Sequence, residues 1–156
     1  MPEVERITSF SVDHDFIRPG MYISRIDGDI TTYDLRTRRP NQGDYMDNVT
    51  MHSLEHMVAT YLRNSDIKGN IIYFGPMGCA TGFYLLVKEE KPEEVLKALK
   101  EALRKTIAHE GEVFGSQRKE CGNYQCLSID SAKIECERYL KVLEAKEKWS
   151  FEYDRF

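Results

Sequence analysis

The sequence predicts an α+β fold in which an antiparallel β-sheet is covered by helices on one face, as a single domain spanning residues 1–156. Three observations lead there. Two strand-like segments flank Asp27-Gly28, two more flank a glycine-rich turn around Cys79, and three stretches with helical periodicity lie between and after them. A chain of 156 residues is long enough for one hydrophobic core and too short for two ordinary domains.

Taken in order, residues 1–20 show little periodicity and read as an irregular arm carrying Ser9, Asp13 and His14 ahead of Pro19-Gly20. On its own, His14 reads as a surface residue. Met21 to Ile26 and Ile30 to Arg36 alternate, and Asp27-Gly28 suits a tight hairpin between them. Arg39 to Gly43 breaks the second strand, and a helix follows to about Ser65, with Met51, Leu54, Val58, Tyr61 and Leu62 as its apolar stripe and Asn48 or Thr50 as its cap. Asn70 to Phe74 and Gly82 to Lys88 are short apolar runs rich in β-formers. Between them, Gly75-Pro76-Met77-Gly78-Cys79-Ala80-Thr81-Gly82 makes a turn able to bring a thiol or backbone N–H groups to a ligand, although on this segment alone a plain turn around a buried cysteine is the slightly better reading.

Pro92, Glu93 and Glu94 open a second helix, with Val95, Leu96, Leu99, Ala102, Leu103 and Ile107 on its apolar face. His109, just past its end, has a structural reading. Glu110 to Gln125 is polar and loop-like and contains Cys121-Gly122. A third helix from about Ser131 to Lys146 places Ala132, Cys136, Tyr139, Leu140 and Leu143 on one side, so Cys136 reads as core packing. The aromatic tail from Trp149 to Phe156 suits docking on the body or on a second subunit.

Composition narrows the function classes. Hydrophobic content of 41 % and charged content of 31 % are those of a soluble globular protein. The 26 acidic and 22 basic residues are well mixed at a net charge of -4, so no nucleic-acid partner is expected. Arg36, Arg38 and Arg39 form a basic cluster too short for a binding stripe, and they read as the solvated end of a strand. MPEVERITSF is charged and the longest apolar run is Phe83 to Val87, so neither a signal peptide nor a membrane partner is expected. Cys79, Cys121, Cys126 and Cys136 are then expected as free thiols in the cytoplasm.

The most informative stretch is TMHSLEHMVATYL, with His52, Glu55 and His56 in the order H-x-x-E-H. On a helix, residues four apart share a face, so the two imidazoles can converge on one metal ion with Glu55 beside it; a solvated helix edge is the plainer alternative. Two histidines need a third protein ligand. Cys121 is a good one, and its thiolate suits zinc or ferrous iron over magnesium or calcium. The Cys121 to Cys126 spacing is not that of a structural zinc knuckle. Such a metal would polarise an oxygen and support proton transfer.

In His52, Glu55 and His56, in the Gly-Pro-Met-Gly-Cys-x-Thr-Gly turn, in Cys121-Gly122, in the Ser9 to His14 arm and in Asp34-x-Arg36, the chain resembles the S-ribosylhomocysteine lyases, the autoinducer-2 synthases of bacteria. The resemblance covers most of the chain. It implies that His52, His56 and Cys121 bind one divalent metal per subunit, Fe2+ in the native enzyme and often Zn2+ in purified protein, with Glu55 and Cys79 as the acid and base groups. It implies cleavage of the S-ribosylhomocysteine thioether to homocysteine and 4,5-dihydroxy-2,3-pentanedione by carbonyl migration and β-elimination. It also implies a homodimer with active sites at the interface, Ser9, His14 and Arg36 binding substrate. Two positions depart from the pattern: Tyr73 stands where many relatives have an Asp that contacts the amino-acid end of the substrate, and Arg38 where some have Cys.

Two other readings compete. An inverted-motif metalloprotease would use Glu55 as base and Glu135 or Glu137 as third ligand, both expected on the side of the third helix away from its apolar stripe, but it gives Cys79 and Cys121 no role. A non-catalytic metal-binding regulator or structural dimer predicts a saturated coordination sphere and no turnover.

Overall fold

Gly28, at a φ of 61°, closes the first hairpin, in which β1 (Gly20–Asp27) runs antiparallel to β2 (Ile30–Arg36). This computed structural model describes residues 4, 5, 7 and 10–153, so Ser9 lies outside the described residues. The remaining elements are α1 (Asn48–Leu62), β3 (Ile71–Pro76), β4 (Gly82–Lys88), α2 (Pro92–Ala108) and α3 (Ile129–Glu144). The four strands form one sheet in the order β1-β2-β4-β3, every neighbouring pair antiparallel. The predicted α+β class is observed.

Alternation along the strands gives the sheet two different faces. Met21, Tyr33, Leu35, Phe83, Leu85 and Val87 join a single core with Leu54, Val58 and Leu62 of α1, Leu99 and Leu103 of α2, and Cys136, Tyr139 and Leu143 of α3. The other face carries Tyr22, Asp34, Arg36 and Tyr84, and is covered by chain ends rather than helices: the arm and the tail meet there around a recess lined by Val12, His14 and Tyr153. The tail docks on its own body. Trp149 Nε1 donates to the Leu143 carbonyl at 2.9 Å, and the Phe151 carbonyl accepts from the Ile23 N–H at 2.7 Å.

Element ends differ from the sequence expectation for local reasons. Asp47, rather than Asn48 or Thr50, caps α1, its carboxylate accepting the Thr50 N–H at 2.7 Å, and the helix stops at Leu62. Ser128 caps α3 through the Ser131 N–H, so this helix begins two residues ahead of the expected Ser131.

Two expectations about charge are corrected. Arg36 is 3 % exposed and paired with Asp34, not solvated. Glu135, expected on the outer side of α3, is 2 % exposed and paired with Arg38, because the segment leading into α1 packs over that side of the helix; Glu137 is exposed as expected.

Candidate active site

The α1 helix presents His52 and His56 one turn apart, their rings edge to face with centroids 4.6 Å apart. The loop from Glu110 to Ser128 wraps this face and fixes both rings. His52 Nδ1 bonds the Cys126 carbonyl at 2.8 Å and His56 Nδ1 bonds the Phe114 carbonyl at 2.7 Å. A carbonyl can only accept, so each Nδ1 carries the hydrogen and each Nε2 keeps a lone pair. The same loop brings Cys121 Sγ to 3.2 Å from His52 Nε2.

The three ligand atoms of His52, His56 and Cys121 all lie within 4.8 Å of one another, and among the described residues no other group of His, Cys, Asp or Glu does this. A tetrahedral zinc or iron site, with bonds of about 2.0–2.3 Å, sets its ligands roughly 3.3–3.8 Å apart, so the cluster fits such an ion with small adjustments. Three half-buried protein ligands would leave one position of a tetrahedral ion for water or substrate.

Glu55 lies between the histidines on α1 and borders two clefts. One, of about 440 Å³, includes His56, Arg63, Tyr73 and Phe114; the other, of about 350 Å³, includes His52, Pro76, Asn123 and Cys126. Tyr73 faces outward because β3 carries a bulge between Ile71 and Tyr73, which leaves both Ile72 and Tyr73 exposed on this edge strand.

Cys79, Arg36 and His14 gather elsewhere. Cys79 sits exposed on the turn between β3 and β4, pinned by the Met77 N–H to the Gly82 carbonyl at 2.9 Å and the Ala80 N–H to the Met77 carbonyl at 3.1 Å. The left-handed residue there is Ala80, at a φ of 62°, not one of the glycines. Gly82 matters for its lack of a side chain, because a Cβ there would stand 2.7 Å from the Leu35 carbonyl oxygen and only glycine lets the turn close onto the end of β2. The Cys79 sulfur thereby lies 3.0 Å from Thr81 Oγ1 and 4.0 Å from Arg36 Nη1. Arg36 holds Asp34 by two hydrogen bonds of 3.0 and 2.7 Å. Burial works against the Arg36 charge, but Asp34 outweighs it and raises the guanidinium above its usual value. His14, its Nδ1 bonded to the Val12 carbonyl at 2.8 Å, lines the same recess as Arg36.

The sequence-predicted residues thus form two groups, the triad with Glu55 and the Cys79, Arg36 and His14 group. Sequence reasoning assigned no role to Thr81 or Tyr153, both of which touch the second group, nor to the Phe114 and Cys126 carbonyls that orient the imidazoles. Thr81, two residues from Cys79 in a tight turn, carried a faint signal; the others carried none.

A two-histidine, one-cysteine cluster open on one side, with a carboxylate alongside, on a small α+β sheet, defines a candidate metalloenzyme. Comparison with known proteins gives the family: the profile described as S-ribosylhomocysteinase (LuxS) matches residues 7–149, and the chain belongs to that family. It is 41 % identical over 145 residues to the S-ribosylhomocysteine lyase of Finegoldia magna, covering 90 % of this chain and 92 % of that protein. It is 42 % identical over 148 residues to the lyase of Phocaeicola vulgatus (90 % and 92 % covered) and 40 % identical over 146 residues to that of Borreliella burgdorferi (90 % and 93 %).

Proposed function

We propose that the protein is a carbon–sulfur lyase that cleaves S-ribosylhomocysteine to homocysteine and 4,5-dihydroxy-2,3-pentanedione. The observation that carries the reading is the His52, His56 and Cys121 cluster beside Glu55 in a chain of this family. Those three residues would hold one divalent ion, Fe2+ in the cell and Zn2+ as the usual replacement. Once bound, the ion supplies Lewis acidity that stabilises negative charge on the sugar oxygens.

The protein's own groups move the protons. Carbonyl migration along the ribose requires protons to leave carbon and return to it, and Cys79 is the base for these transfers. Its sulfur sits exposed on the turn, 4.0 Å from Arg36 Nη1 and 3.0 Å from Thr81 Oγ1. Glu55, bordering both clefts, shuttles protons to and from the oxygens. β-Elimination then expels homocysteine as the thiol.

The active form is a homodimer in the cytoplasm, with the sites at the interface. The recess of His14 and Arg36 shares no lining residue with the two clefts beside Glu55, which supports this, since an arm carrying Ser9 and His14 can then serve substrate held by the other subunit. Phe10 and Phe16 of that arm are 67 % and 41 % exposed, apolar surface suited to a subunit contact. The protease alternative loses Glu135, which is committed to Arg38, and the residue that joins His52 and His56 among the described residues is Cys121 rather than Glu137.

The test is release of free thiol from S-ribosylhomocysteine by protein purified without oxygen, beside its Cys79→Ala variant, with metal analysis of both. Thiol release that depends on Cys79, at one metal per subunit, is expected. Metal-loaded protein that releases no thiol sinks the substrate assignment.

A further inference from the structure

Arg36 can only donate hydrogen bonds: Nε and Nη2 donate to Asp34, and Nη1 donates to Thr81 Oγ1 at 2.9 Å with the Cys79 sulfur 4.0 Å away on the same nitrogen. Thr81 Oγ1 therefore accepts from Arg36, and its own hydrogen is left for the neighbouring Cys79 sulfur at 3.0 Å. Asp34 is shared in turn. Its Oδ2 takes Arg36 Nη2 at 2.7 Å and also the Tyr153 hydroxyl at 2.7 Å. Asp34, Arg36 and Thr81 are all 3 % exposed or less, so solvent cannot replace a missing partner.

Tyr153 comes from the tail, 119 positions away from Asp34, and its ring stacks on Tyr22 at 4.9 Å and 17°. Burial, with the negative charge of Asp34 adding to it, pushes the hydroxyl far above the usual phenol range, so it stays a donor. The other groups around the recess are His14 from the arm, Ser24 from β1 and Tyr84 from β4.

We infer that Tyr153 and Thr81 are positioning residues for the Cys79 sulfur: Tyr153 holds the Asp34–Arg36 pair in place, and Thr81 passes that order to the thiolate as a hydrogen bond. The inference rests on Cys79 being the proton-transfer base proposed above. It gives the C-terminal tail a part in catalysis through a chain of bonds that runs Tyr153, Asp34, Arg36, Thr81, Cys79 without touching the metal ligands.

The experiment measures the sulfur directly. Full-length metal-loaded protein, Tyr153→Phe, Thr81→Val and Thr81→Ser are labelled with iodoacetamide across a pH series. In this reaction the thiolate takes the carbamidomethyl carbon and iodide leaves; peptide mass mapping separates Cys79 from the other three cysteines. In Tyr153→Phe, which keeps the stacked ring, labelling of Cys79 at the acid end is expected to fall about three- to tenfold. Thr81→Val shifts it the same way and Thr81→Ser restores it, while metal content is unchanged and kcat falls with KM constant. Profiles for Tyr153→Phe and Thr81→Val that superimpose on the parent overturn the inference, as does a Thr81→Ser variant as slow as Thr81→Val. Thiol release that survives Cys79→Ala would instead overturn the assignment of the base, and the labelling profiles would still decide the positioning.

Discussion

Arg38 and Glu135, 97 positions apart, form a two-point ion pair with bonds of 2.6 and 3.2 Å that ties the segment leading into α1 to the middle of α3. Asp44 widens the network, accepting from Arg38 at 3.1 Å and from Arg138. The pair accounts for Arg38 at this position: a 2 % exposed carboxylate needs a fixed partner. Arg38→Ala is expected to cost about 3 kcal/mol, the usual penalty for stranding a buried charge. Urea unfolding measures it, and a double Arg38→Met, Glu135→Leu variant that regains most of the loss would confirm that the stranded carboxylate is the cause.

Acid should weaken the entry to α1. The Arg138 hydrogen bond holds the Asp44 carboxyl below its usual value, and the Thr50 hydrogen bonds do the same for Asp47. Both groups bind a proton less readily folded than unfolded. Their contribution is complete above the ordinary value of 3.8 and is lost as pH falls through the lower folded values. Asp47→Ala is expected to cost about 1 kcal/mol at neutral pH through loss of the cap. Asp47→Asn keeps most of the cap, so its thermal midpoint should match the parent at neutral pH and fall less steeply in acid.

The metal ligands and the thiol should separate cleanly. Cys79→Ala is expected to retain metal and lose turnover, whereas His52→Ala loses both. A metal present at 100 times its dissociation constant adds about 2.7 kcal/mol to stability, so a chelator should lower the melting temperature of the parent and leave that of His52→Ala unmoved. A full complement of metal in His52→Ala would break the ligand assignment.

Tyr73 borders the same cleft as Glu55, His56 and Arg63, and the resemblance seen in the sequence implies an Asp at this position for the amino-acid end of the substrate. Tyr73→Asp is expected to lower KM for S-ribosylhomocysteine about tenfold or more, the worth of one hydrogen bond to a charged group, with kcat and metal content little changed. Steady-state kinetics decide it; a KM that rises would show that the tyrosine has its own recognition mode.

Much of the fold was legible because its signals are local. Period-two runs at Met21 to Ile26 and Ile30 to Arg36 mark strands, and the stripe from Met51 to Leu62 marks α1, since each pattern reports which side of an element meets the core. The cap of α1 was misplaced by one or three residues because Asp47, Asn48 and Thr50 all have capping side chains, and only the backbone path selects Asp47. Glu135 was misread because a helical wheel records one stripe, while α3 is contacted on more than one side.

By itself the sequence determined the α+β class, the pairing of His52 with His56 across one helical turn, and the turn that presents Cys79. These depend on residues a few positions apart, where the chain's own geometry leaves little choice. Only the tertiary structure decided that Cys121 stands against His52 across 69 positions, that Arg38 neutralises Glu135 across 97, and that Tyr153 closes on Asp34 across 119. The physical reason is that local periodicity records burial and direction, whereas partners brought together from opposite ends of a chain are chosen by how the packed elements leave charges and hydrogen bonds to be satisfied.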